Sequence, residues 1–423
     1  MKKTLVLSFL MLLPCWMEAQ HTVTISQCYQ WAEENYPRIR QYGLIDQTEK
    51  YEMANIGKSW LPQINMSAKL SHQSDVTKIP IDLSKLPGDM SIPTLSKNQF
   101  QAVAELSQTI WDGGNAGSQR ALTKAEAELN RKQVQNELYT LKNRINQLYF
   151  GILLHKELIG QNSLLQKDLE TNLERIRAMM ANGMANESDK DLLEVELLNV
   201  RQRELELCSS CNAYIRMLSY FTGQEGLDKL DLVKPELPAL SMSRTVNRPE
   251  LESFQAQTAL LDRQDKAISA SMMPRIGAFL QAGYGRPGLN MLEDEFNPYY
   301  IAGIRMNWNL GRLYTVKNDR RKLDVARRNV DINRETFLFN TQLQLINQNE
   351  EIRKLAELMN ADQDIMRLRS NVKKASEVKL ENGVIAVSDL IRDINAEDMA
   401  RQAAAIHQME YLMAIYQLMY LTN

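Results

Sequence analysis

The sequence predicts a membrane α+β protein built from one duplicated unit. Each copy carries two membrane-length β-strands and one very long helical hairpin. Three observations predict it. Proline is absent between Pro93 and Pro235 and after Pro298, and Arg312 to Asn382 holds neither glycine nor proline. Short motifs recur in the same order about 200 residues apart. Four segments alternate apolar and polar residues with period two.

The chain opens on MKKTLVLSFLMLLPCWMEAQ. Lys2 and Lys3 form a basic start, Leu5 to Leu13 a short apolar core, and Ala19 a cleavage position, so residues 1–19 read as a secretory signal. Pro14 stands where a lipoprotein signal wants a small residue before Cys15, which argues against lipidation. Residues 20–60 read as a helical segment.

The first strand pair spans residues 61–111. Ile64, Met66, Ala68 and Leu70 face one way, and Asn65, Ser67, Lys69 and Ser71 the other. After a loop rich in Pro, Ser and Asp (about 75–98), Phe100, Ala102, Ala104, Leu106 and Ile110 oppose Gln101, Glu105 and Ser107. Residues 112–222 then form the first helical hairpin. Leu141, Ile145, Leu148 and Ile152, then Leu165, Leu169, Leu173, Ile176 and Met180, recur at coiled-coil spacing. A rod of about 65–70 residues at roughly 1.5 Å each is on the order of 100 Å long. It needs antiparallel neighbours to bury its stripe. The rod ends at ANGMANESD, residues 181–189. Asn182-Gly183 stops the helix, because glycine takes the left-handed conformation freely. Ser188-Asp189 offers N-cap oxygens for the return helix.

Residues 223–272 link to the second copy. NRPEL at 247–251 repeats NYPRI at 35–39, and MPRI at 273–276 repeats LPQI at 61–64. The second strand pair, 273–311, sets Ile276, Ala278, Leu280, Ala282 and Tyr284, then Tyr300, Ala302, Ile304, Met306 and Leu310, on the apolar face. Arg305, Asn307 and Asn309 lie opposite. The second hairpin, 312–423, turns at ENGVIAVSD, with Asn382, Gly383, Ser388 and Asp389 repeating the first turn.

Strands of about 10–12 residues suit a tilted crossing of a bilayer. Tyr284, Tyr299, Tyr300, Trp111 and Trp308 lie near their ends, where interfacial aromatics belong. Four strands cannot close a barrel, and an open edge in lipid leaves backbone groups unsatisfied. Two copies would give eight strands and a filled interior; three give twelve and a lumen. The polar face then lines water, with Lys69, Arg275 and Arg305 set against Glu105. A soluble sandwich of two hairpins is the competing reading. It leaves the long rods and the export signal without a purpose.

A net charge of -2 with 24% charged residues implies no nucleic-acid partner. Mean hydropathy is -0.38, and no apolar run of helical membrane-span length follows the N-terminus. No phosphate loop, metal-ligand spacing or nucleophile motif marks an enzyme, and no cofactor is implied. Cys208 and Cys211 read as thiols or an incidental disulfide rather than a catalyst.

The segments AEENYPRIR and NRPELE, the LP and MP strand starts, IWDGG at 110–114 and the paired G-x-x-x-x-S-D turns together resemble the TolC-type outer membrane efflux proteins. The resemblance covers essentially the whole mature chain. It implies a homotrimeric, 12-stranded outer-membrane β-barrel continuous with a periplasmic α-helical coiled-coil barrel. A mixed equatorial region is then expected near residues 20–45, 222–250 and the C-terminal end. It places the protein in the outer membrane of a Gram-negative bacterium, in contact with its lipid and extending into the periplasm. The tips would dock a periplasmic adaptor that links to an inner-membrane pump, making the chain a passive exit duct for small toxic molecules. Protein secretion and metal-ion export are variants of that role; Met179, Met180 and Met184 near the first tip bear on the latter. A periplasmic adaptor, with one hairpin and no paired strands, is the different class. The resemblance puts Asp189 at a position holding the aperture closed and Asp389 at one lining it. A second aperture aspartate falls on Arg392, with Asp393 next, and a gate arginine falls on Ile385. This departure predicts a differently held constriction, with Arg392 paired to aspartates between chains.

Overall fold

The computed structural model describes residues 22–77, 95–229, 231–237 and 246–423. The signal reading of 1–19, the lipidation reading at Cys15 and most of the first loop (78–94) lie outside the described residues. The chain divides into two compact units.

One unit combines Glu137–Arg248 and Leu338–Asn423 with the N-terminal segment to Ile39. A two-residue strand, β1 (Thr22–Val23), pairs in parallel with β4 (Asp231–Leu232). Sequence periodicity missed both, because two residues carry no period. Helix α1 (Ile25–Asn35) starts at Thr24 through a capping box: Thr24 Oγ1 accepts from Gln27 N at 3.3 Å, and Thr24 N donates to Gln27 Oε1 at 2.8 Å. The long helices are α3 (Asn115–Ala181), α4 (Glu187–Thr222), α6 (Leu313–Glu381) and α7 (Val387–Thr422). Their lengths of 67, 36, 69 and 36 residues match the expected rods and return helices.

Two clusters hold this unit. In the first, Ile145, Tyr149, Phe150 and Ile152 of α3 pack with Cys28 and Ala32 of α1, Leu218 of α4 and Leu412 of α7. Tyr149 Oη also donates toward Val23 O (2.8 Å) and Val233 O (2.6 Å), pinning the short β pair. In the second, Leu165, Leu169, Leu173 and Ile176 pack with Leu193, Leu197, Leu380, Leu390 and Ile394. The predicted stripe residues are buried, except Met180, which is partly buried against the second cluster. Each stripe closes on the neighbouring hairpin as well as on its own return helix.

Side-chain pairs fix the register. Within each hairpin they converge on the turn: Asn162 with Val200 and Arg177 with Glu194, then Asp362 with His407 and Ser376 with Asp393. Between hairpins the pairing is parallel: Asp168 with Lys373, Arg175 with Glu381, Glu196 with Asn395 and Arg203 with Gln402. The last two pairs are 199 residues apart, close to the repeat offset. The duplicated hairpins therefore lie side by side nearly in phase.

The other unit combines Arg40–Asn136 and Pro249–Phe337. Helices α2 (Arg40–Lys58) and α5 (Pro249–Ser271) lead into the strands. Strands β2 (Gln63–His72), β3 (Asn98–Trp111), β5 (Arg275–Arg286) and β6 (Asn297–Asn307) form one antiparallel sheet in the order β2-β3-β5-β6. The two duplicated strand pairs thus join along β3 and β5, leaving β2 and β6 as edges. The two strand pairs are hydrogen-bonded into one sheet instead of facing each other as two, which excludes the sandwich reading.

Three expectations fail here. Alternation in β3 breaks at a bulge between Thr109 and Trp111, so Trp111 and not Ile110 aligns with Ile276 of the apolar face. The fourth strand stops at Asn307, short of Leu310. Asn309 Oδ1 accepts from Gly311 N at 3.1 Å and starts a 3-10 turn, while the Trp308 indole donates to Met272 O at 2.9 Å. Tyr299 does not share the apolar face with Tyr284 and Tyr300. Its register partner is Gly283, and its ring occupies the space a Cβ there would need. It lies on the polar face.

Candidate functional site

The two helix turns are built alike. Gly183 and Gly383 have φ +73° and +69°. Nothing lies within 4 Å of an added Cβ at either, so backbone conformation, not space, requires glycine. Gly183 N donates to Met180 O and Met184 N to Met179 O, both at 2.9 Å; Gly383 and Val384 repeat this on Leu380 and Lys379. That is a Schellman stop. The asparagines have their own role: Asn182 Nδ2 donates to Ala178 O (2.9 Å) and Asn382 Nδ2 to Val378 O (2.8 Å). Each satisfies a helix-end carbonyl.

The N-caps differ from expectation. Helix resumes at Glu187 and Val387, so Ser188 and Ser388 lie inside the first turn, exposed, and cap nothing. The cap position falls on Asn186 and Ala386 because the Schellman stop needs only two further residues before the chain turns back. Asp189 N donates to Asn186 Oδ1 at 3.0 Å, and Asn186 N donates to Asp189 Oδ2 at 3.1 Å, a reciprocal box. Ala386 has no acceptor, so the second turn keeps half of it: Ala386 N donates to Asp389 Oδ2 at 3.4 Å. Both aspartates are thus structural N3 residues.

Near the second turn, Arg392 pairs within its own chain, with Asp389 at 3.1 Å and Asp393 at 3.8 Å. Asp393 also accepts from Ser376 Oγ at 2.6 Å. Arg392 remains 70% exposed, so these surface pairs leave its guanidinium accessible. Ile385, Met179 and Met180 pack against the second core cluster, whereas Met184 is exposed.

Farther along the helices lies a buried polar belt that the sequence reading missed. Lys373 of α6 is 8% exposed. Its Nζ donates to Asp168 of α3 at 2.5 Å and pairs with Glu397 of α7 at 3.0 Å. Glu397 also accepts from Arg401 at 2.7 Å. Arg203 of α4 reaches Asp398 at 3.8 Å and bonds Gln402, which bonds Asp398 in turn. His407 Nδ1 meets Asp362 Oδ2 at 2.7 Å. Burial alone would lower the Lys373 pKa, but hydrogen bonds to Asp168 and Glu397 outweigh it and hold the ammonium above its ordinary value. Glu397 likewise loses by burial and gains more from Lys373 and Arg401, so its pKa falls. Asp398 is different: burial dominates and raises it. The detectable signal was a charge at an apolar stripe position: Glu397 falls between Ile394 and the buried Ala400.

The sheet carries the remaining candidates. Register puts Lys69, Glu105, Arg275 and Arg305 on one face, with Gln63, Asn65, Ser107 and Gln281. Arg305 donates across β5 to Glu105 at 3.0 Å, joining residues exactly equivalent in the duplication, while its guanidinium lies 4.5 Å over the Phe279 ring. Phe279 in turn rests on Gly303, as Tyr299 rests on Gly283. The opposite face is apolar and uncovered: Met66 is 84% and Ile304 73% exposed.

The three described cysteines are free. Burial pushes the Cys28 thiol up to about 12 and raises Cys211, leaving both protonated. No three-residue metal-ligating group occurs among the described residues, and no described helix is long and apolar enough to cross a membrane.

No protein-family model and no curated sequence matches the chain. Solved structures do. The outer membrane protein VceC of Vibrio cholerae is 11% identical with a TM-score of 0.67, over 94% of this chain and 96% of that one. The CmeC outer membrane channel of Campylobacter jejuni is 12% identical, TM-score 0.64, over 94% and 85%. The MtrE outer membrane channel of Neisseria gonorrhoeae, in its open state, is 14% identical, TM-score 0.64, over 94% and 88%. The chain has the fold of these outer-membrane channel subunits.

Proposed function

We propose that this chain is the outer-membrane channel of a tripartite efflux system, a passive duct for small toxic molecules. The observation that carries the reading is the single sheet with one apolar and one polar face, both uncovered, in a chain with an outer-membrane channel fold. An apolar face that large in water would aggregate; against lipid it is stable. Edge strands β2 and β6 need partners in lipid, each unpaired backbone group costing several kcal/mol. Three copies supply them and make twelve strands around a lumen. The paired turns, six per trimer, dock the periplasmic adaptor and bound the aperture, with Asp189, Asp389, Arg392 and Asp393 around it. An inner-membrane pump supplies the energy through that adaptor. Residues 1–19 serve as the export signal that delivers the chain.

The periplasmic-adaptor reading loses support from the duplicated hairpins and the four-stranded sheet. Deleting the gene and restoring it in cells that carry the cognate pump tests the proposal. Deletion is expected to raise accumulation of amphipathic dyes and toxic compounds, and the wild-type chain to reverse this. Unchanged accumulation together with loss of a secreted protein from the medium would contradict it.

A further inference from the structure

We propose that the polar face of the sheet favours anionic solutes, with Lys69 and Arg275 as the residues that set this preference. The inference rests on the reading of that face as the wall of a water-filled passage. It names the class of molecule the wall favours: small carboxylate- or phosphate-bearing solutes over cations of similar size.

The face carries three cations, Lys69, Arg275 and Arg305, and one carboxylate, Glu105. Their sum is less informative than their pairing. Arg305 and Glu105 neutralise one another at 3.0 Å. The Arg305 guanidinium is also stacked on Phe279, which is itself seated on Gly303. This mid-sheet pair therefore presents little net field to a passing ion. Lys69 and Arg275 are both exposed, and neither has an ion-pair partner among the described residues. They remain as the uncompensated charge.

Their levels differ. Lys69 aligns through Gln101 with Gly285, whereas Arg275 aligns with Asn307 at the other end of β5. The ten residue steps from 275 to 285, at roughly 3.3 Å each, separate the two positions by about 33 Å along the strand direction. That exceeds a Debye length of about 8–10 Å. Copies of the chain would thus set two independent cationic rings, one near each end of the strands. Rings of Lys or Arg favour anions, and low-dielectric walls focus their field. Because the rings do not sense each other, their effects on permeability multiply.

The test is the reversal potential of the purified full-length chain in planar bilayers under a potassium chloride gradient. The aperture residues stay unaltered in every variant, so the readout is the change in chloride-to-potassium permeability ratio. Lys69→Gln and Arg275→Gln are each expected to lower the ratio by about twofold or more, and the double variant by the product. Glu105→Gln frees Arg305 and is expected to raise it. This arm decides the matter even where a cation-to-glutamine variant forms no channels. Conducting channels whose ratio ignores all three substitutions overturn the inference alone. A wild-type chain that never conducts overturns the channel reading and this inference with it.

Discussion

Single residues divide into those whose role follows from local chemistry and those whose role depends on distant partners. Asn182-Gly183 and Asn382-Gly383 belong to the first kind. The positive φ, the Schellman bonds and the asparagine amide on a carbonyl four residues back are all local. The left-handed glycine stop was readable from the sequence; the asparagine amide bonds were seen only in the structure. Ser188 and Ser388 were misread because composition favours serine at a cap, whereas the stop geometry sets the cap two residues earlier. Lys373 belongs to the second kind, since nothing near it in sequence announces Asp168 or Glu397. Lys373→Met leaves Glu397 buried beside Arg401 only and is expected to cost about 3 kcal/mol per chain. Asp398→Asn should be neutral or stabilising, because burial disfavours its charge. The pH dependence follows from the signs. The Lys373 pKa is raised in the fold, so its contribution is complete below the ordinary 10.5 and fades as pH rises through the raised value. The Glu397 pKa is lowered, so its contribution is complete above the ordinary 4.5 and fades as pH falls through the lowered value. Thermal unfolding followed by circular dichroism should therefore show a constant gap between wild type and Lys373→Met at neutral pH, narrowing only beyond those limits. A gap that varies between pH 6 and 8 would contradict the assignment.

At the scale of elements, periodicity carried most of the information. Long heptad-like stripes and period-two strands survive into the structure with their buried or shared faces intact. The exceptions have physical causes. The strand at 297–307 ends early because the Asn309 side chain starts a turn that alternation cannot reveal. Strands β1 and β4 are too short to have a pattern. Tyr299 and Phe279 read as membrane aromatics or gave no signal, yet each covers a glycine on the neighbouring strand. Aromatic cover of strand glycine keeps a ring flat against the sheet. Gly283→Val forces the Tyr299 ring off the wall and toward the polar side. Unitary conductance in planar bilayers is then expected to fall, and an unchanged value would show that the ring does not border the conducting path.

For the whole molecule, duplication explains why one sheet and two hairpins suffice. The repeated strand pairs share one sheet, and the repeated hairpins pack in parallel with pairs 199 residues apart. The apolar face and the two free edges make the single chain incomplete in lipid. The two-faced strands were legible in the sequence, because they follow from alternation; the joining of the two strand pairs along β3 and β5 was not. The pairing of Arg392 with Asp389 and Asp393 within its own chain was not legible either, because it depends on side-chain geometry in the first turns of α7. The state of the protein in the outer-membrane fraction tests the central claim most directly. Extracted in mild detergent, it should run as a heat-sensitive complex of about three times the mass of one chain. A stable single chain, or a protein recovered from the soluble periplasmic fraction, would contradict it.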